Sequence, residues 1–313
     1  MLSRIAESFY WLGRYIERAE ATVRLLAEHH QLLVEDQSVP HATGCAVLLE
    51  ALSMPDTGVD TPHELVRVLV GSEIDPSTIA GAVSAARSNA RAIRESLSQD
   101  TFEALNSAHL ALSRGIAFAA SPGVALHNVL ERLLVVNGVV DWTMPRDEAY
   151  HFMVLGRELE RIDMVGRLLS IRHDLLWPSS GPAATLRAAG GLSPFLRSGM
   201  AITGADARRF LVLDTTFPRS MRVCAADAEE AVRGLQRRGA SDSSLLLREV
   251  GLFGIPRTTL VWNLAANPRA FGLPFIVNQC FWGGLYGAVF GLLAGRVRIG
   301  TLPLGLLTGA ATT

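Results

Sequence analysis

A fifteen-residue pattern occurs twice in the chain, 143 positions apart, and no other feature limits the possible folds as much. The first copy runs Leu12-Gly13-Arg14-Tyr15-Ile16-Glu17-Arg18-Ala19-Glu20 and closes with Arg24-Leu25-Leu26. The second runs Leu155-Gly156-Arg157-Glu158-Leu159-Glu160-Arg161-Ile162-Asp163 and closes with Arg167-Leu168-Leu169. A glycine, three arginines and two carboxylates do not readily fall into register twice by chance. The chain therefore reads as two copies of one unit, and the Glu-Arg pair is the first place to look for function.

The repetition extends beyond this segment. Pro76 follows Arg18 by 58 positions, and Pro218 follows Arg161 by 57. Each proline opens a helix rich in small residues, predicted over Ser77–Arg94 and Arg219–Leu235. Apolar residues at three- and four-residue spacing predict further helices over Thr61–Val70, Ser77–Leu97, Thr101–Ser113 and Val124–Val140. Asp75 before Pro76 reads as a helix cap, as does Asp100 before Thr101. Strand signals are scarce. The clearest break is Trp177-Pro178-Ser179-Ser180-Gly181-Pro182. The expected fold is an all-α helical bundle of two tandem repeats, 1–140 and 141–250, with a divergent apolar tail over 251–313.

Placed on a helix at roughly 100° per residue, the first copy divides into three arcs. Phe9, Leu12, Ile16, Ala19, Val23 and Leu26 form an apolar stripe. Gly13, Glu20 and Arg24 lie on a flank, and Arg14, Glu17 and Arg18 lie opposite the stripe beside Tyr10, Trp11 and Leu25. The second copy sets Arg157, Glu160 and Arg161 among Met153, Val154, Met164 and Leu168, with Gly156, Asp163 and Arg167 in supporting places. A helix apolar on two sides sits centrally in a bundle, so the charges are expected to be partly buried and to need partners. Two arginines against one glutamate leave about one positive charge per copy unmatched locally. The copies can pair across a pseudo-twofold contact, or the surplus can face a carboxylate or phosphate. An architectural network, a ligand site and a docking surface for a partner all remain open.

Composition excludes several classes of function. All 29 basic residues are arginine, so no lysine can form a Schiff base or hold phosphate in a P-loop. A net charge of −1 offers no global field for nucleic acid. Cys45, Cys224 and Cys280 are far apart and form no C-x-x-C pair. Neither a metal nor any other cofactor is expected. Glu148 and His151 make one E-x-x-H pattern, whereas carboxylate-bridged metal bundles need two. His29 and His30 are adjacent and point to different faces. No nucleophile motif occurs, and no catalytic residue is assigned. The N-terminus carries charge early and has no apolar signal region, so a cytoplasmic location is expected. From Ala270 to Gly295 no residue is charged. That stretch is long enough to span a bilayer, although Asn278, Gln279 and its glycines favour a buried tail or an altered ending.

The opening residues Met1 to Glu20 resemble the alpha-E domain, a helical family named for its Glu-Arg motif. The second copy with Arg146-Asp147-Glu148, the segments Glu95–Ser98 and Glu103–Asn106, and Leu213-Asp214 through Ser220 resemble it too. The similarity covers about residues 1–240, and the motif carries over to Glu17, Arg18, Glu160 and Arg161. The tail after about Leu252 departs from the family pattern. The resemblance implies a tandem duplication and a place in a peptide synthesis or modification system. Its implied partners are circularly permuted ATP-grasp carboxylate–amine ligases, transglutaminase-like proteins and an NTN-type peptidase. The expected role is a helical accessory or scaffold protein. An enzyme using Glu17 or Glu160 as a base is the alternative, although adjacent arginines lower a carboxyl pKa and so oppose it. Attachment to a membrane through the apolar tail is a further alternative.

Overall fold

The structure is a computed structural model, and it describes residues 3–55, 58–113 and 122–237. The tail 251–313, with its membrane and altered-ending readings, lies outside the described residues. Among those described, the regular elements are helical and no strand occurs. In chain order they are α1 (Ser3–Glu35), α2 (His41–Ala51), α3 (Pro62–Val70), α4 (Ile79–Ala92), α5 (Gln99–Ser113) and α6 (Pro122–Thr143). Then follow α7 (Glu148–Ser170), α8 (His173–Leu176), α9 (Gly181–Ala188), α10 (Leu192–Arg197), α11 (Gly204–Leu213) and α12 (Met221–Arg237).

Helices α1 and α7 form the centre, as two-sided apolar patterning requires. The stripe Phe9, Leu12, Ile16, Ala19, Val23 and Leu26 is fully or almost fully buried. Met153, Val154, Met164 and Leu168 of α7 are buried as well. Helix α4 packs on α1, and α12 packs on α7. Helices α6 and α9 close further sides of α1, and α5 packs against α6. Helix α6 is long and apolar enough to cross a membrane by length and composition. Its Leu126, Val129, Leu133, Val136 and Val140 are buried, so that pattern also suits a helix packed on one side.

Two glycines set how closely the central helices approach. A Cβ on Gly13 would stand 2.1 Å from the carbonyl oxygen of Met153, and one on Gly156 would stand 2.0 Å from that of Tyr10. The contact is reciprocal: each glycine meets the residue three before the other. From Gly13–Met153 through Arg18–Glu160 to His29–His173 the partners rise together along the chain, so α1 and α7 run in the same direction.

Several local expectations shift. Thr78 rather than Asp75 caps α4, accepting from the Gly81 N–H, while Asp75 accepts from Ser77 in the preceding turn. Ser220 caps α12 in the same way through the Val223 N–H. The hydroxyls of Thr78 and Ser220 each donate to the carbonyl six residues back, at Ser72 and Asp214. Ser98, not Asp100, caps α5 by accepting from the Thr101 N–H. A capping hydroxyl reaches its own second or third N–H, so one turn of displacement changes which residue serves. The break at Trp177 is no exposed linker. Trp177 is fully buried, and its indole N–H donates to the Asp36 carbonyl.

Below the motif the core holds two buried histidines. His29 Nδ1 lies 3.0 Å from His173 Nε2, and His29 Nε2 lies 2.9 Å from the Gly44 carbonyl. That carbonyl can only accept, so neutral His29 carries its proton on Nε2 and accepts from His173 at Nδ1. Burial pushes His29 down to about 4 and His173 to about 3. Both rings therefore charge more readily in the unfolded chain than in the fold. Their contribution to stability is complete above about pH 6.5 and is lost as pH falls towards 4, on the order of 3 kcal/mol per ring. Urea unfolding at stepped pH is expected to show this loss beginning below pH 6.5. The variant His173→Gln should flatten it, and equal stability at about pH 6.5 and 4.5 would contradict the assignment.

Candidate functional site

The Glu-Arg motifs meet where α1 crosses α7, and each glutamate is gripped mainly by the other copy's arginines. Glu160 Oε1 accepts from Arg18 Nε at 2.6 Å, and Oε2 accepts from Arg14 Nε at 2.6 Å. Arg18 adds a second bond to Oε2 at 3.2 Å. Glu17 Oε2 accepts from Arg161 at 2.7 Å, and Oε1 accepts from Arg219 at 2.6 Å. Both carboxylates have 0% exposure, so removing either charge would take a buried anion from two guanidiniums. Burial opposes the charge on Glu17, but Arg219 and Arg161 outweigh it and hold that carboxyl below its ordinary value. Arg161 is likewise burdened by burial, yet Glu17 and Glu158 raise it well above the ordinary arginine value.

Three acids stand where the motif count alone suggested a positive surplus in each copy. Glu158 is buried and pairs with Arg157 at 3.0 Å and with Arg161 at 3.0 Å. Asp141 takes the other end of Arg157 at 3.1 Å. Glu20 accepts from Arg24 and Arg219, each at 2.9 Å, and from Asn137 at 2.6 Å. The surplus around Glu17 is thus offset. The pair Asp163 and Arg167 stays apart from the cluster. It forms its own ion pair, and Arg167 reaches the Ala51 carbonyl and the Ser53 hydroxyl.

The two sides differ where the sequence breaks its own repetition. Arg219 and Ser77 occupy equivalent places, each just before the hydroxyl that caps α12 or α4. Glu158 and Tyr15 likewise occupy equivalent places in the motif. The Glu17 side therefore gains a buried carboxylate and a third arginine. Among the described residues the Glu160 side has only Arg14 and Arg18, which keep 19% and 25% exposure. Arg14 lies over the rings of Tyr10 and Trp11, and Arg18 over Tyr15. Trp11 and Tyr15 stack with centroids 5.5 Å apart. The outcome is a partly exposed face where two arginines share one carboxylate beside three aromatic rings.

Sequence reasoning did not include Glu158, Asp141, Asn137 or Arg219 among the site residues. Arg219 had a signal, since Pro218-Arg219-Ser220 matched Pro76 in spacing. Glu158 had none, because it fills a variable place in the pattern. Cys224 lies buried beside Glu158. Burial first, and then that carboxylate, push its thiol far up, so it is no nucleophile at neutral pH. His151 stands against α12, where a Cβ on Gly234 would meet its ring at 2.4 Å. Among the described residues no group of three or more histidine, cysteine or acidic side chains gathers to hold a metal.

The chain resembles uncharacterized proteins of Mycobacterium bovis and Mycobacterium tuberculosis. Each is 28% identical over 188 aligned residues, covering 50% of this chain and 21% of the relative. The chain thus spans about a fifth of the length of these relatives. No solved structure matches. Residues 1–252 match the family model for Alpha-E, described as a predicted alpha-helical domain with a conserved ER motif. The chain carries Glu17-Arg18 and Glu160-Arg161 at the helix crossing, and it belongs to the Alpha-E family.

Proposed function

We propose that this chain is a helical accessory protein of a peptide synthesis or modification system. It works in the cytoplasm with an ATP-grasp carboxylate–amine ligase and transglutaminase-like proteins. One observation carries the non-catalytic reading: both oxygens of Glu17 and of Glu160 are already held by guanidiniums in a dry interior. A general base needs a free lone pair and a raised pKa, and Glu17 has the reverse. The motif then serves to lock two tandemly duplicated units together, and the reciprocal glycine contact supports that origin. The outward face of Arg14, Arg18, Trp11 and Tyr15 has the composition of a protein-binding hot spot. Its surplus positive charge suits an acidic segment of the ligase.

Affinity capture of the tagged chain from its native host, with mass spectrometry, tests this reading. A ligase of the ATP-grasp class is expected among the captured proteins, and the double variant Trp11→Ala, Arg18→Gln should lose it. Capture without any ligase, or equal capture by the variant, would count against the proposal.

A further inference from the structure

A groove of about 450 Å³ lies between α1, α6 and α9, away from the glutamates of the crossing. Arg24 and Arg187 both line it. Each is fixed through Nε alone: Arg24 to Glu20 at 2.9 Å, and Arg187 to Glu28 at 2.6 Å. Among the described residues no acceptor takes the Nη groups of either guanidinium. An arginine held this way is pre-oriented, and its paired Nη donors match the two oxygens of a carboxylate. The carboxylates in the groove already hold donors, Arg187 on Glu28 and Gln31 on Glu35. Ala27, Val34, Leu126 and Leu130 give it an apolar wall, and His30, Gln31 and His127 line it too. Polar groups set in a mostly apolar cleft fix the direction of a ligand that has one polar end.

We infer that this groove binds the carboxylate end of a peptidyl or acyl chain. The arginine pair takes the carboxylate, and the leucines of α6 take the adjoining apolar side chain. The site lies outside the Glu-Arg crossing and needs no ligase for its own geometry. Arg24 nevertheless joins it to the buried network through Glu20 and Arg219. A ligand on Arg24 therefore pulls on the same carboxylate that anchors Arg219 beside Glu17.

Isothermal titration of the full chain with N-acetyl-leucyl-leucine, and with the same dipeptide as its C-terminal amide, tests the inference. The acid should bind at least about tenfold more tightly than the amide, because the charge-assisted bonds are lost with the carboxylate. Arg187→Gln should weaken the acid about tenfold and leave the amide unchanged. Arg187 is partly exposed, so this variant should fold even if Arg24→Gln does not. Equal binding of acid and amide, no effect of Arg187→Gln, or no binding at about 10 mM would each overturn the inference. Inorganic phosphate binding as tightly as the dipeptide would also overturn it, since the apolar walls would then have no role. The titration uses the chain alone, so its outcome is read separately from capture of a ligase.

Discussion

Replacing Gly13 by alanine should destabilise the protein more than most single-methyl changes in a core. The added Cβ would meet the Met153 carbonyl oxygen at 2.1 Å, and that oxygen belongs to helix backbone that cannot rotate away. Alanine favours a helix by about 1 kcal/mol over glycine, which works in the opposite direction. Overpacking of a dense interior costs about 1–3 kcal/mol or more, and here relief requires separating two long helices. Separation would also stretch the four shortest bonds to Glu17 and Glu160, which are 2.6–2.7 Å long. A fall in Tm on the order of 10 °C, or insoluble expression, is expected. Gly156→Ala should behave alike, because its Cβ would meet the Tyr10 carbonyl oxygen at 2.0 Å. A Tm within about 2 °C of the parent for both variants would show that the helices do not touch in this way.

The second large effect concerns the two motif glutamates, which should prove unequal. Glu17→Gln leaves Arg161 and Arg219 buried without their shared anion, and one-sided removal of a buried pair costs about 3–5 kcal/mol. The Nε groups of Arg161 and Arg219 are already buried without an acceptor, and their remaining acids, Glu158 and Glu20, are shared with Arg157 and Arg24. Glu160→Gln leaves Arg14 and Arg18, which retain some contact with water and can turn outward. Its cost should be smaller, about 1–2 kcal/mol after that solvent screening. Denaturant unfolding of both variants measures the difference. Similar small losses for the two would remove the asymmetry between the sides. If both variants fold like the parent and only capture of the ligase is lost, the architectural role of the motif fails.

Much of the bundle is legible along the chain because helix periodicity is a short-range property. The stripe from Phe9 to Leu26 and the second apolar side carrying Tyr10, Trp11 and Leu25 already place α1 at a centre. The helix predicted over Ser77–Leu97 is shorter in the structure, as Ile79–Ala92, because Thr78 takes the cap and Ile93 leaves helical geometry. Trp177 read as part of a break, since proline and glycine flank it. Its burial depends on the segment just after α1, 141 positions away, where the Asp36 carbonyl receives its N–H. The ion-pair partners were less legible still. Arg219 reaches Glu17 across 202 positions, and no local pattern carries such a pairing.

By itself the sequence determined an all-helical chain with a repeated Glu-Arg segment on helices too apolar to lie at the surface. It also determined that these charges must find partners, because an isolated charge inside a protein costs several kcal/mol. Only the tertiary structure decided which partners they find. The glycines bring α1 and α7 together in the same direction, so each glutamate meets the other segment's arginines. Two departures from the repeat, Tyr15 against Glu158 and Ser77 against Arg219, then close one side and leave the other partly open. Periodicity acts over one or two turns, whereas charge pairing depends on which distant side chains share the same dry space.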